Sequence, residues 1–213
     1  MLSHDEQAAY LDSIERVRQS AVNHLGSNRN VAIEFVANLH RAVDKVMRQS
    51  ANSGAQTECR PGCACCCRVR VEATEPEIFL IAHEIRKRPA DQAAAILERL
   101  RNRVATADGA GRTDCAFLKD HLCSIYEVRP AVCRRAHSLS VESCKHFAPE
   151  IPQNLEMLLQ ADALMKGTSE AYRQVGLHAS AHELGSAVLQ ALTDGTSEAR
   201  WCDGASLLPE VRA

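Results

Sequence analysis

Apolar residues recur three and four apart along most of the chain, a spacing that predicts helices. In 4–25, Leu11, Ile14, Val17, Ala21 and Leu25 fall near one face. Gly26 and a polar run at 27–30 interrupt the stripe. A second helix over about 31–49 then carries Phe35, Leu39, Val43 and Val46. Two apolar stripes joined by a short loop predict an antiparallel helical hairpin. Residues 50–57 read as a polar linker, and 69–73 alternates apolar and polar residues as a short extended stretch does. Thr74 then offers a helix cap, with Pro76 in the first turn and Glu77 three residues on, the signature of a capping box. That helix should run to about Lys87 and bury Ile78, Ile81, Ala82 and Ile85. Pro89 ends it, and a further helix over about 90–105 presents Ala93, Ile96, Leu97, Leu100 and Val104. After a glycine-containing loop at 108–114, helices are expected near 153–166 and 169–193, followed by an irregular end that carries the only tryptophan, Trp201.

Composition supports the helical reading. Aromatic residues make up only 4% of the 213 residues, whereas strands favour aromatic and β-branched side chains. The expected fold is mainly α: helical hairpins and a bundle packed around a loop-rich cysteine core that binds metal. The parts are an N-terminal hairpin at 1–50, a cysteine-cluster domain at 59–147 and a C-terminal helical extension at 148–213 packing on the same core. No internal repeat is visible.

The formal net charge of −2 gives no reason to expect nucleic acid or membrane as a partner. The charge is uneven: residues 59–147 hold 15 Lys/Arg against 11 Asp/Glu, and 148–213 hold 4 against 9. The first residues are acidic where a signal peptide would be basic, and no stretch approaches the roughly 18 apolar residues of a membrane helix. A cytoplasmic location follows as an expectation. In that compartment disulfides are rare, so ten cysteines point to metal or redox chemistry.

The first cysteine group is Cys59, Cys63, Cys66 and Cys67, with Cys65 as an extra thiol inside it; the second is Cys115, Cys123, Cys133 and Cys144. Spacings of two and three residues let a tight loop turn several sulfurs towards one point. Zinc takes four tetrahedral ligands, commonly all cysteine or cysteine with histidine, and iron–sulfur clusters also take four thiolates. Four thiolates on a divalent ion leave a net charge of −2. Arg60, Arg68, Arg70, Arg129, Arg134 and Arg135 flank the cysteines and would favour the thiolate form. Adjacent side chains such as Cys66 and Cys67 serve one ion only with a strained loop, and more naturally serve or bridge two.

The run CRPGCACCCRVRVEATEPEIFLIA resembles the opening signature of the bacterial zinc- or iron-chelating cysteine-cluster proteins, the YkgJ-like, CxxCxxCC type. The run CAFLKDHLCSIYEVRPAVCRRAHS resembles that family's second signature. It places Cys115, Phe117, Leu118, Cys123, Ile125, Tyr126, Arg129, Pro130, Cys133 and Arg134 on the family's elements, and Cys144 fits its last cysteine. The resemblance covers about 59–147 and implies chelation of zinc or iron without implying a reaction, while the four-thiolate sets by themselves leave an iron–sulfur cluster open. Metal ligation is assigned on this reading to Cys59, Cys63, Cys66, Cys67, Cys115, Cys123, Cys133 and Cys144.

Arg129 and Pro130 should open a short helix that projects Cys133 and Arg134. Tyr126 either covers the site with its ring or packs in the core. His121, His137 and His146 lie within the cysteine region as substitute donors. His178 and His182 stand four apart on an expected helix but lack the His-Glu-x-x-His order of zinc proteases. Cys202 reads as a packed thiol, and Gly109 and Gly111 lack the lysine of a phosphate loop. The alternative to plain chelation is an iron–sulfur oxidoreductase or a metal-assisted modifying enzyme. A protein partner on the helical surfaces is a third reading.

Overall fold

The computed structural model describes residues 2–26, 31–52, 56–106 and 113–206. Nine α-helices lie in the described residues: α1 (His4–Leu25), α2 (Ala32–Asn52), α3 (Glu75–Arg86), α4 (Ala90–Ala105), α5 (Ala131–Arg135), α6 (Val141–Lys145), α7 (Leu155–Gln174), α8 (Leu184–Thr193) and α9 (Ser197–Cys202). The expected mainly helical class is the observed one. The glycine-containing loop at 108–114 falls largely outside the described residues, as does the middle of the 50–57 linker.

Two small antiparallel ribbons interrupt the helices. The expected extended stretch supplies β1 (Glu72–Thr74), which pairs with β4 (Ala181–Glu183) so that Ala73 faces His182. A second ribbon joins β2 (Leu118–Lys119) to β3 (Leu122–Cys123). Its two-residue turn holds Asp120 and His121 at φ 50° and 60°, the doubly left-handed geometry of a tight hairpin.

Burial explains the packing. α3 arrives with nearly every face apolar and buries Ile78, Phe79, Ile81, Ala82 and Ile85. It sits between α2 and α8, at the centre of a cluster that includes Leu100, Phe117, Ile125, Tyr172, Val188 and Trp201. Trp201 is fully buried, 5.4 Å from the Phe79 ring and 6.3 Å from the Tyr172 ring. Its indole N–H donates to the carbonyl of His178 at 2.8 Å. The chain after α8 is therefore ordered helix where an irregular end was expected, because the core has room for one large ring and a carbonyl to satisfy its donor.

Three other expectations are corrected. α1 lies chiefly along α7 rather than along α2. The break expected between helices at 166–169 does not occur, and α7 runs straight through Gly167. The reason is interhelical: a Cβ there would sit 2.6 Å from the Ile14 carbonyl oxygen and 2.7 Å from Val17 Cβ. The glycine lets two backbones touch. Gly167→Ala is expected to destabilise the protein by about 1–3 kcal/mol, the usual cost of overpacking a tight contact, read from a chemical denaturation midpoint. Finally, the helix expected over 169–193 is broken by Gly176 at φ 80° and by β4. His178 and His182 therefore do not share a helical face. No helix of the described residues is long and apolar enough to cross a membrane.

Candidate metal centre

The first cysteine group is shaped by its own turns. Pro61 and Gly62 occupy the centre of a turn closed by the Cys63 N–H on the Arg60 carbonyl at 2.9 Å. Gly62 at φ 85° meets the left-handed requirement of a type II turn, for which a proline before it is well suited. The chain then winds into a 3-10 turn at Cys65–Arg68, with the Cys67 N–H on the Ala64 carbonyl at 3.0 Å. These tight turns carry five thiols in nine residues.

The second segment folds onto the first. The Cys115 N–H donates to the Cys67 carbonyl at 2.8 Å. At the other end the Glu58 N–H donates to Ser138 O at 2.9 Å, and Glu58 Oε2 accepts the Val141 N–H at 2.5 Å. That second link brings α6, and with it Cys144, against the first loop. Cys123 ends the β2–β3 ribbon, and Cys133 projects from α5 as the Arg-Pro reading expected.

Electrostatics divides the thiols into two neighbourhoods. Cys59 feels the charges of Cys63, Cys66 and Cys144, and Cys65 those of Cys63, Cys144 and Cys66. Cys67 feels Cys66, Cys115 and Cys123, while Cys133 feels Cys115, Cys66 and Cys123. Cys66 reaches into both. Burial, reinforced by these neighbours, pushes the Cys133 thiol up to about 12. Burial likewise raises Cys59, Cys115 and Cys123. Cys66 is the exception: a hydrogen bond from Cys67 lowers its pKa against the cost of burial, with help from Arg129. All ten cysteines are thiols, with no disulfide among them.

Among the described residues no three His, Cys, Asp or Glu side chains are arranged to hold a metal together. The donor set nevertheless suits a soft divalent ion or an iron–sulfur cluster. Arg129 supports that fit: its field falls on Cys66, Cys123 and Cys133, and its Nε is buried with no hydrogen-bond partner in the protein. The guanidinium also lies 4.1 Å over the Tyr126 ring. Tyr126 itself is exposed, so it is not core packing.

Arg134 fixes the loop between β3 and α5. It is 7% exposed and donates to Arg129 O at 2.9 Å, to Asp44 Oδ2 at 2.7 Å and to the Glu127 carbonyl. A lysine cannot make this fork of bonds. Arg134→Lys is expected to cost about 1.5–3 kcal/mol, the worth of hydrogen bonds to a charged group. A thermal melt alongside the unsubstituted chain would check it.

The histidines separate cleanly. His137 is buried with both ring nitrogens engaged: Nδ1 lies 2.9 Å from Arg135 O, and Nε2 accepts the Asn154 N–H at 2.9 Å. It is a structural residue. His146 is exposed beside Glu142 at 3.5 Å, and His121 stands at the ribbon tip. His182 is buried 3.5 Å from Glu75 in the β1–β4 ribbon. Cys202 is partly buried and packs against the main core, as its reading as a packed thiol expected.

Sequence reasoning missed the reach of Glu77. It was legible as a capping partner, and Glu77 Oε2 does accept from Thr74 N–H and Oγ1–H at 2.9 and 2.8 Å. But Oε1 also accepts the Ala131 N–H at 2.6 Å and lies 3.2 Å from His40 Nε2. One buried carboxylate thus joins α2, the start of α3 and the start of α5, which carries Cys133. Only the distant partners reveal that role.

A mainly helical frame with two cysteine segments folded together defines a cysteine-cluster protein. Residues 58–155 match the model of the CxxCxxCC family, described as "Putative zinc- or iron-chelating domain". No curated protein and no solved structure matches the chain.

Proposed function

We propose that the protein chelates zinc or iron through Cys59, Cys63, Cys66, Cys67, Cys115, Cys123, Cys133 and Cys144, and that the metal links the two cysteine segments. The observation that carries this reading is the contact between segments: Cys115 is hydrogen-bonded to Cys67, and thiols from both stretches share one field. The two neighbourhoods favour two ions or a binuclear centre, with Cys66 and Cys67 at the junction. Cys65 lies with Cys63 and Cys144, a spare donor in the first neighbourhood.

The chemistry of loading follows from the thiols. Raised pKa values mean that most are protonated before metal arrives, so ligation must release protons, and affinity falls as pH falls. The metal, when bound, would draw the thiolates together and neutralise their charge. Arg129 and Arg134 hold the surrounding loop and offset the remaining negative charge. Elemental analysis after anaerobic purification, with a visible spectrum, tests the reading. Stoichiometric zinc in a colourless protein identifies simple chelation, visible absorption with bound sulfide identifies an iron–sulfur cluster, and absence of zinc and iron after reconstitution defeats the reading.

A further inference from the structure

The first thiol neighbourhood also forms one wall of a cationic pocket. The pocket has a volume of about 340 Å³ and is lined by Arg60, Arg68, His121 and Lys145 together with Cys63 and Cys65. Such a volume lies within the roughly 300–1,000 Å³ usual for small-molecule sites. No carboxylate lines it. Its basic side chains come from separate places in the fold: the Pro61–Gly62 turn, the 3-10 turn, the β2–β3 ribbon tip and α6. The tertiary structure, rather than a local run of charge, brings them to one rim. Arg68 keeps Asp114 at 2.9 Å, and Lys145 keeps Glu142 at 2.6 Å. Neither acid lines the pocket, and Arg60 has no acid partner among the described residues. Arg60 and Lys145 lie close enough to repel one another, a repulsion that a bound anion would relieve.

From this convergence of basic side chains beside Cys63, a proposed ligand, and the spare thiol of Cys65, we infer that the pocket binds a small polycarboxylate and that metal reaches the thiols as the complex of such an anion. The inference rests on the chelation reading of the same thiols. The carboxylates of the incoming complex dock on Arg60 and Lys145, which places its metal against Cys63 and Cys65. Exchange is then stepwise. Each metal–carboxylate bond that breaks is replaced by a metal–thiolate bond, the displaced thiol proton passes to the leaving carboxylate or to water, and no oxidation state changes. The cations hold the freed anion until it diffuses away. The competing account is that these cations only neutralise the thiolates.

The test uses the full chain and the Arg60→Gln/Lys145→Gln double variant, both exposed positions whose replacement leaves the core intact. Metal-free protein is titrated calorimetrically with citrate and with inorganic phosphate. Zinc uptake is then timed from zinc citrate and from hydrated zinc. The expected result is citrate binding at least tenfold tighter than phosphate, lost in the double variant. Uptake from zinc citrate should slow at least tenfold more in that variant than uptake from hydrated zinc. Equal slowing from both sources would assign the cations to charge neutralisation and overturn the proposal. Phosphate binding as tightly as citrate would overturn the polycarboxylate assignment. Citrate binding without retention of zinc from either source would instead overturn the chelation reading and the delivery step with it.

Discussion

The Cys133→Ser variant is expected to hold less metal than the parent chain and to lose the stability that metal confers. Cys133 is the best placed of the second-segment thiols to report on the site. It is held in α5, whose first N–H is bound by Glu77, and it feels Cys115, Cys66 and Cys123 at once. Its thiol is held at about 12 by burial and by those neighbours, so without metal it is neutral, and with metal it must give up its proton. Serine keeps the size but is a far poorer ligand for a soft ion. A ligand present at about a thousandfold its Kd stabilises the native state by about 4 kcal/mol, and this is the scale of the loss expected in metal-containing buffer. Melting curves with and without a chelator, paired with elemental analysis, read it directly. The parent should fall towards the variant when chelator is added. Cys202→Ser, at a thiol packed in the main core, should keep its metal. Equal metal content in the parent and Cys133→Ser would remove Cys133 from the ligand set.

The second large effect is expected at Glu77, where no metal is involved. Glu77→Ala leaves the N–H groups of Thr74 and Ala131 and the buried His40 without their shared acceptor. Leaving buried donors without their acceptor costs about 1–3 kcal/mol for each group concerned. Urea denaturation of the metal-free chain should show a loss of that order, because the bonds concerned belong to the frame. A loss below about 1 kcal/mol would show that α5 is held by other means. The same carboxylate predicts an acid response. Burial by itself raises its pKa, but His40 and the N–H groups of Ala131 and Thr74 outweigh burial and hold it below the usual carboxylate range. The unfolded chain therefore takes up a proton at higher pH than the folded one. Glu77's contribution is complete above about pH 4.3, the ordinary glutamate value, and is lost as the pH falls through the folded pKa. In Glu77→Gln that part of the acid sensitivity should disappear.

Much of the helical frame was legible because its signals are local. Pro89 and the apolar spacing of Ile96 and Leu100 set α4, which spans the expected residues 90–105. Thr74, Pro76 and Glu77 set the start of α3, and Arg129 with Pro130 set the start of α5. What failed was reading a residue whose purpose lies on another element. Gly167 looks like a helix break within its own segment, yet it permits contact with Ile14 and Val17 some 150 residues away. His178 and His182 look like a helical pair, yet Gly176 ends the helix before His178 and pairing of β1 with β4 puts His182 on a strand. Trp201 looks like part of a loose end until the space beside Phe79 and Tyr172 is known.

The chain alone determined that cysteines concentrate in two short stretches, that arginines accompany them and that helices surround them. Those facts reside in composition and near-neighbour spacing. The tertiary structure decided which thiols become neighbours, why Cys66 differs in acidity from Cys67, and how Arg60, Arg68, His121 and Lys145 reach a single pocket. Electrostatic and hydrogen-bond energies depend on distance in space, and spacing along a chain fixes that distance only within a turn or two of helix.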